Sequence, residues 1–419
     1  MIPKRYLLLL GTFLLSVLLY VDRACIATAK DDITSELSLS DTQWGWVMAA
    51  FSLGYALCQT PTGAIADRFG PRVLLSSVVI LWSIFTGLTG LVRSYASLFA
   101  VRLLFGAGEA GAFPGMARAV YSWIPMTERG LAQSINFSGS RLGAMFAMPL
   151  VTWLLVSVGW RKMFLILMVI GFAWALFWYF WFRDEPEQHS TISKEEKDFI
   201  LANRQQPDAT QKQKAPFSLM ASSPNMWMVM VQYFCSNFTF FFALTWLFPY
   251  LKEKYDLTTM TTGFYTSAPF LGGAVGSICA GLLIDRIYKK GKWQMSRRLP
   301  AMIGFSLATL GILMSMRMDT ALGAVAWLTL AIFGADMTLS PSWSFCTDIG
   351  RKNAGAVSGI MNMAGNVGGL VTALAFPYLT AWTGSEESFF YVAAGLNALA
   401  IFLWTQMKSD RPLELERAG

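Results

Sequence analysis

Six ionisable side chains fall inside long apolar runs of this sequence: Asp22, Arg23, Arg102, Glu109, Arg141 and Asp336. A charge at the centre of a membrane helix costs roughly 2.5–3.5 kcal/mol on insertion scales. Side chains of this kind are therefore expected to pair or to line a watery path, and a set of guanidinium and carboxylate groups suits holding an anion and moving a proton. Arg102 and Glu109 are seven positions apart, so at about 100° per residue they differ by about 20° and share one helix face. Glu109 falls near the middle of its run. There burial and a neighbouring guanidinium pull its proton affinity in opposite directions, and it can switch protonation when its partner moves. The plainer reading is a permanent Arg–Glu pair stapling helices. Arg23 lies toward the outer end of the first run, where its fork suits a substrate carboxylate. Asp22 points about 100° away and is expected to meet a different helix. The plainer reading of this Asp–Arg step is interfacial anchoring. Arg141 has two equal readings: a second handle on the substrate, or a partner for Asp336 across the two halves of the chain, and such a pair could also act as a gate.

The surrounding composition says what positions these groups. Of 419 residues, 54% are apolar and 14% charged, against about 25% charged in soluble domains. This excludes an ordinary soluble enzyme, a disordered chain and a nucleic-acid-binding domain. At about 20 apolar residues per span, the chain has room for twelve transmembrane helices, so the fold class is an all-α membrane protein. The net charge of +7 resides at loop ends between apolar runs and is topological. Cys25, Cys58, Cys235, Cys279 and Cys346 are scattered singly, with no metal or redox spacing, and are expected to be buried packing residues. His189 is the only histidine, so no histidine metal cluster or intramembrane histidine relay is available. No metal or other cofactor is expected, and proton chemistry falls to carboxylates.

The first apolar run follows Lys4 and Arg5 without a small-residue cleavage site, so it is expected to stay as the first helix. Further runs cover Trp44 to Ile65, Val73 to Leu91, Ser97 to Val120, Leu131 to Val156 and Met163 to Phe182, then Met226 to Tyr250, Gly263 to Ile284, Leu299 to Met316, Ala321 to Phe345, Ala354 to Leu379 and Phe389 to Met407. The expected domains are an N-terminal six-helix bundle (1–183), a linker (184–222) and a C-terminal six-helix bundle (223–419). Within the linker, Ser193-Lys194-Glu195-Glu196 is a capping-box pattern that opens a short surface helix to about Ala202. Of 33 basic residues, the loops on the amino-terminal side hold 23 and those on the other side seven. By the positive-inside rule both termini and the linker face the cytoplasm.

Two motifs recur. Gly63-x-x-x-Asp67-Arg68-x-Gly70-x-Arg72 is echoed by Gly281-x-x-x-Asp285-Arg286, and Asn136-x-x-Gly139-x-x-x-Gly143 by Asn362-x-x-Gly365-x-x-x-Gly369. A parallel repeat of this kind places a ligand site near the membrane midplane between the halves, with access alternating by rocking. Gly63 to Arg72 resembles the cytoplasmic-loop signature of the major facilitator superfamily, and the six-plus-six layout resembles that fold across essentially the whole chain. Tyr20-Val21-Asp22-Arg23, with Arg102 and Gly106-x-Gly108-Glu109-Ala110-x-x-Phe113-Pro114, resembles the anion:cation symporter family. That family includes bacterial galactonate, glucarate and hexuronate transporters, sialin and the vesicular glutamate transporters. The resemblance implies that Asp22 and Glu109 are the protonatable pair, with Arg102 beside them. Trp343 and Asn362 match galactonate-type positions, whereas Arg141 departs from a neutral polar residue expected there.

Tyr20, Tyr55, Gln59, Ser340, Ser342, Trp343, Asn362 and Asn366 are candidates for recognising hydroxyls, although any one of them could simply cross-bond helices. Asp67-Arg68, Arg72 and Asp285-Arg286 are candidate gate latches. Gly106-x-Gly108-x-x-Gly111 matches a dinucleotide fingerprint but lies within a helical run, so it is read as helix packing. No Walker motif is present, so an ATP-driven pump is unsupported, and the expected activity is not enzymatic. It is proton-coupled import of an organic anion, a sugar acid of the hexonate or hexuronate class, through the bacterial inner membrane by a monomer. Two switchable acids fit a proton stoichiometry above one. The rivals are an anion exchanger, a sodium-coupled carrier, and a non-transporting receptor, which the short tail after Met407 disfavours.

Overall fold

The computed structural model describes residues 3–205 and 217–413, all helical or connecting. The helices are α1 (Lys4–Thr28), α2 (Lys30–Leu37), α3 (Asp41–Thr89), α4 (Tyr95–Glu109), α5 (Ala112–Trp123), α6 (Arg129–Trp181), α7 (Lys194–Asn203) and α8 (Phe217–Ser222). They continue with α9 (Pro224–Thr245), α10 (Leu247–Lys254), α11 (Thr259–Tyr288), α12 (Trp293–Ser315), α13 (Ala321–Met337), α14 (Leu339–Gly350), α15 (Ala354–Thr383) and α16 (Glu387–Gln406).

Local chemistry sets where these helices start, turn and break. Ser40 opens α3 with a reciprocal capping box to Gln43, and Ser223, Thr258 and Thr320 cap α9, α11 and α13. Gly70 (φ 80°) divides α3 into two rods and Gly159 (φ 78°) divides α6, a left-handed backbone that glycine adopts without strain. Pro71 follows Gly70 at the start of the next rod, where a missing N–H costs nothing. The α4–α5 and α13–α14 breaks lie just upstream of Pro114 and Pro341, which cannot donate to the carbonyls of Ala110 and Met337 four residues earlier. Among the described residues, leaving out the short α7 and α8 and counting each interrupted segment as one rod and each kinked helix as two gives the expected twelve. Nine segments among the described residues are long and apolar enough to cross a membrane, and one of these, Ala321–Thr383, holds two rods. Outward faces carry large apolar side chains such as Trp153 (64% exposed), Phe180 (69%) and Trp382 (85%), as a lipid-facing surface requires.

By contacts the chain forms two compact units. The first comprises Met1–Ile124, Leu142–Gln206 and Lys352–Met363; the second comprises Pro125–Arg141, Pro207–Arg351 and Ala364–Gly419. The first has a core around Val21, Ile26, Val47, Trp160 and Phe164. The second is built on aromatics, with Phe242 stacked 5.2 Å from Phe389 and edge-on 5.1 Å from Phe390. Cys25, Cys235 and Cys346 are buried as expected. Cys58 is half-buried and Cys279 exposed, a correction explained by an outer helix face where lipid, not protein, covers a small apolar side chain.

The linker helix forms where its Ser193 cap predicts, and Ser193 accepts from the Glu196 amide. Glu196 does not reciprocate locally. Its carboxylate instead accepts the amides of Lys4 (2.9 Å) and Arg5 (3.0 Å), satisfying orphan donors at the start of α1. Upstream, Asp184 accepts the Arg72 amide (2.8 Å), and a side chain at Gly70 would strike that carboxylate. His189 is wedged edge-on between Trp123 and Trp181. The linker from 183 to 205 is thus a strap packed on the first unit. Linker residues 206–216 and the tail after residue 413 lie outside the described residues.

Burial, with Lys4 and Arg183 nearby and only Glu196 opposing, holds the His189 imidazole below its ordinary pKa. The packed strap therefore favours neutral histidine, so His189 stabilises it above about pH 6.5 and that stabilisation is lost as pH falls. Amide-exchange protection of residues 194–203, corrected for intrinsic rate, should fall between about pH 7.5 and about pH 5.5 in the native chain and stay flat in His189→Gln.

Candidate functional site

In the first unit, α1, α3 and α4 converge on a buried cluster of charge. Gly106 lets α4 lie against α3, because a side chain there would strike the Phe51 carbonyl. This close approach places Phe51 between two guanidinium groups: its ring is 5.2 Å from that of Arg23 and 5.2 Å from that of Arg102. Arg23 also lies over Tyr20 (5.2 Å) and Tyr55 (4.7 Å), an aromatic cradle that stabilises a cation without neutralising it.

Arg23 donates from Nε to Glu109 Oε1 at 2.6 Å. The expected neighbour of Glu109 on its own helix, Arg102, is not its partner. Seven residues span about 10 Å along a helix, too far for contact, so the carboxylate reaches across to α1. Arg102 is 2% exposed, packs on Phe51 and Phe105, and forms no ion pair within 4 Å among the described residues. Asp22 meets a different helix, as expected, accepting from Trp82 Nε1 at 3.0 Å. Among the described residues Asp22 Oδ1, Arg23 Nη2, Arg102 Nε and Glu109 Oε2 are buried without a hydrogen-bond partner. Four buried polar atoms without a protein partner are costly; they leave spare donors on two cations and spare acceptors on two carboxylates, groups whose chemistry can hold an anion and a proton.

In the second unit Arg141 binds Asp336 in a fork, Nε to Oδ2 at 2.6 Å and Nη2 to Oδ1 at 2.7 Å. Of the two readings of Arg141, this geometry is the pair. Trp343 donates to the Tyr233 hydroxyl (2.9 Å) and stands 5.5 Å from Phe137. Ser340 shares a hydrogen bond with Ser134 (2.7 Å), and Ser342 donates to the Thr338 carbonyl (2.6 Å); both hydroxyls are engaged between or within helices. Gln59, Tyr55 and Asn362 are buried in the first unit. Asn366 lies in the second unit and is half-buried.

The two loop motifs do matching work. Asp67 accepts the amides of Gly355 (3.0 Å) and Ala356 (2.9 Å) at the start of α15. Asp285 accepts those of Gly130 (2.9 Å) and Leu131 (3.0 Å) at the start of α6. Each carboxylate caps a helix N-terminus, where amides and dipole favour an anion. Arg72 donates to the Tyr179 carbonyl (2.8 Å), Arg68 covers Phe69, and Arg286 is exposed.

Buried charge is more extensive than the six residues singled out from the sequence. Asp348 accepts from Arg129 (2.6 Å) and Arg297 (2.9 Å), all three side chains being fully buried, and from Trp293 Nε1 (3.0 Å). By position Arg129 and Arg297 look like loop charges beside span ends. The available signal was Asp348 itself, an acid just past the end of an apolar run and distant in sequence from both arginines.

Long apolar helices with apolar outward faces and paired charges inside define an integral membrane protein. Residues 12–373 match the Major Facilitator Superfamily, to which the chain belongs. It is similar to the probable sulfoacetate transporter of Cupriavidus necator, 34% identical over 99% of this chain and 97% of the relative. It is also similar to the probable galactarate/D-glucarate transporter of Escherichia coli K12, 33% identical over 96% and 95%. In fold it resembles a proton:xylose symporter, with a TM-score of 0.74 at 16% identity over 99% and 98% of the two chains. The protein is a multi-pass membrane transporter and not an enzyme.

Asp348→Asn leaves Arg129 and Arg297 buried without their shared carboxylate, so about 3–5 kcal/mol of destabilisation is expected. Arg297→Gln should cost less, because Asp348 keeps Arg129. Thermal unfolding of the two purified variants checks the order.

Proposed function

We propose that this transporter imports a small organic anion, a sugar acid of the hexonate or hexuronate class, together with protons by alternating access. The observation that carries the reading is the Arg23–Glu109 pair, one bond strong, with a spare donor and a spare acceptor, beside Arg102, which among the described residues has no carboxylate within ion-pair distance. A substrate carboxylate competes with Glu109 for Arg23. Protonation of Glu109 removes the competitor, so proton and anion favour each other's binding. This is a reciprocal coupling, and it needs no contact between the two ligands. Asp22, whose carboxylate accepts from Trp82, supplies a second proton site, and the Tyr20, Phe51 and Tyr55 rings keep the released guanidinium in place.

The relatives support the broader part of this reading, a small organic anion. One is described as a probable sulfoacetate transporter and another as a probable galactarate/D-glucarate transporter, and both substrates are small acids. In this reading Gln59, Trp343 and Asn362 contribute hydroxyl recognition, and Asp67 and Asp285 act as gate latches with their neighbours Arg68, Arg72 and Arg286. Residues 1–183 and 223–419 are the two rocking bundles, working as a monomer in the bacterial inner membrane with both termini in the cytoplasm.

Two variants test the coupling in proteoliposomes loaded with a panel of gluconate, galactonate, glucarate, galactarate, glucuronate and sulfoacetate. Arg23→Ala should abolish binding of the transported anion. Glu109→Gln should retain exchange of that anion across the membrane and lose its accumulation under an inward proton gradient. Concentrative uptake by Glu109→Gln would overturn the assignment.

A further inference from the structure

The strap and the start of α1 enclose a cavity that the charged cluster of α1, α3 and α4 does not use. It measures about 650 Å³, and its walls include Lys4 and Arg5 from α1, Ser190 from the turn before α7, and Glu195, Glu196 and Phe199 from α7. That volume is within the usual range of small-ligand sites. Two of its four charges are committed to each other. Glu196 accepts the Lys4 and Arg5 amides, and its Oε1 lies 3.5 Å from Arg5 Nη1. The Arg5 guanidinium in turn lies over Tyr6 (4.5 Å) and Phe199 (5.0 Å). The other two charges are open: among the described residues the Lys4 ammonium and the Glu195 carboxylate form no hydrogen bond or ion pair, with each other or with another side chain. From this charged cavity an apolar stripe leads along α1. Tyr6, Leu10 and Leu14 are all exposed, and their four-residue spacing puts them on one helix face. Beside α1, Trp174 of α6 donates to the Gly11 carbonyl (3.1 Å), and Phe177, one turn further along α6, is exposed.

We infer that this cavity holds the headgroup of a phospholipid bearing a primary amine, phosphatidylethanolamine, with its acyl chains against the Tyr6–Leu10–Leu14 face. The lipid phosphate takes the free Lys4 ammonium and the Ser190 hydroxyl as donors, and the lipid ammonium donates to the free Glu195 carboxylate. One open cation and one open anion match a headgroup that carries one charge of each sign. A headgroup with only a phosphate leaves Glu195 unpaired and repelling, and a choline headgroup has no N–H to give it. The stripe selects a lipid over a soluble phosphate ester, because only a lipid covers Leu10 and Leu14 while its headgroup is in place, and Tyr6 sits where interfacial aromatics anchor to headgroups. Lys4 opens α1 and Glu195 lies on α7, so the bound headgroup bridges the strap to the first span, a link parallel to the one Glu196 makes from protein alone. The site is separate from the Arg23–Glu109 pair and does not rest on the proposed transport cycle.

Mass spectrometry of the intact full chain, released from detergent after incubation with equal amounts of phosphatidylethanolamine, phosphatidylglycerol and phosphatidylcholine, reads the bound lipid directly. The native chain should retain one phosphatidylethanolamine in roughly fivefold preference to either other lipid, the discrimination expected of one interfacial charge contact. Glu195→Gln should retain the three lipids equally, and Lys4→Gln should lose the retained lipid altogether. Both side chains are free of protein partners, so neither change disturbs the fold. Soluble phosphoethanolamine at the same concentration should not displace the lipid. Equal retention of all three lipids by the native chain, a preference for phosphatidylglycerol, or a phosphatidylethanolamine preference that survives both substitutions would overturn the inference. Displacement by phosphoethanolamine would also overturn it, by showing that the cavity serves a soluble phosphate ester.

Discussion

A guanidinium inside an apolar bundle is tolerable only while something compensates its charge, and removing one member of a buried pair typically costs about 3–5 kcal/mol. That constraint fixes the placement of Arg23, Arg129, Arg141 and Arg297, each of which meets a carboxylate on another helix. It also separates the charges by use. Asp348 is saturated by two cations and an indole, which suits a permanent staple. Glu109 makes one bond and keeps an idle oxygen, which suits an exchangeable one.

The helix breaks follow from the same economy. A proline a few residues beyond Glu109 or Asp336 frees a carbonyl and lets the rod turn, and glycines such as Gly106 bring the facing helix close enough for a short side chain to bridge. Without that approach the Phe51 ring would not lie against both Arg23 and Arg102, and a released guanidinium would have no stabilising surface. Backbone chemistry thus prepares the site before any ligand is involved.

The twelve rods were legible because apolar runs and caps are local. Ser193 announced α7, and the Gly70 signature announced the turn it makes. The direction of Asp22 was legible from helix geometry alone. The partner of Glu109 was not: a shared face identified Arg102, but axial rise keeps residues seven apart from touching, and only packing of α1 against α4 brings Arg23 in. Asp348 with Arg129 and Arg297 was hidden for another reason. Charges at span ends look like loop charges in any hydropathy profile, and their burial arises where the ends of α6, α12 and α14 meet. Glu196 shows the same limit, since its capping-box spacing was correct while a more distant helix end, the start of α1, claimed its carboxylate.

The central claim is that proton and anion binding are linked through one ion pair. The most direct measurement is proton movement in lightly buffered proteoliposomes carrying the native chain when an inward gradient of each sugar acid or of sulfoacetate is imposed without any proton gradient. The account predicts that the transported anion acidifies the lumen as it enters. Entry of an anion with no proton movement, or entry that requires sodium or a counter-anion instead, would contradict it.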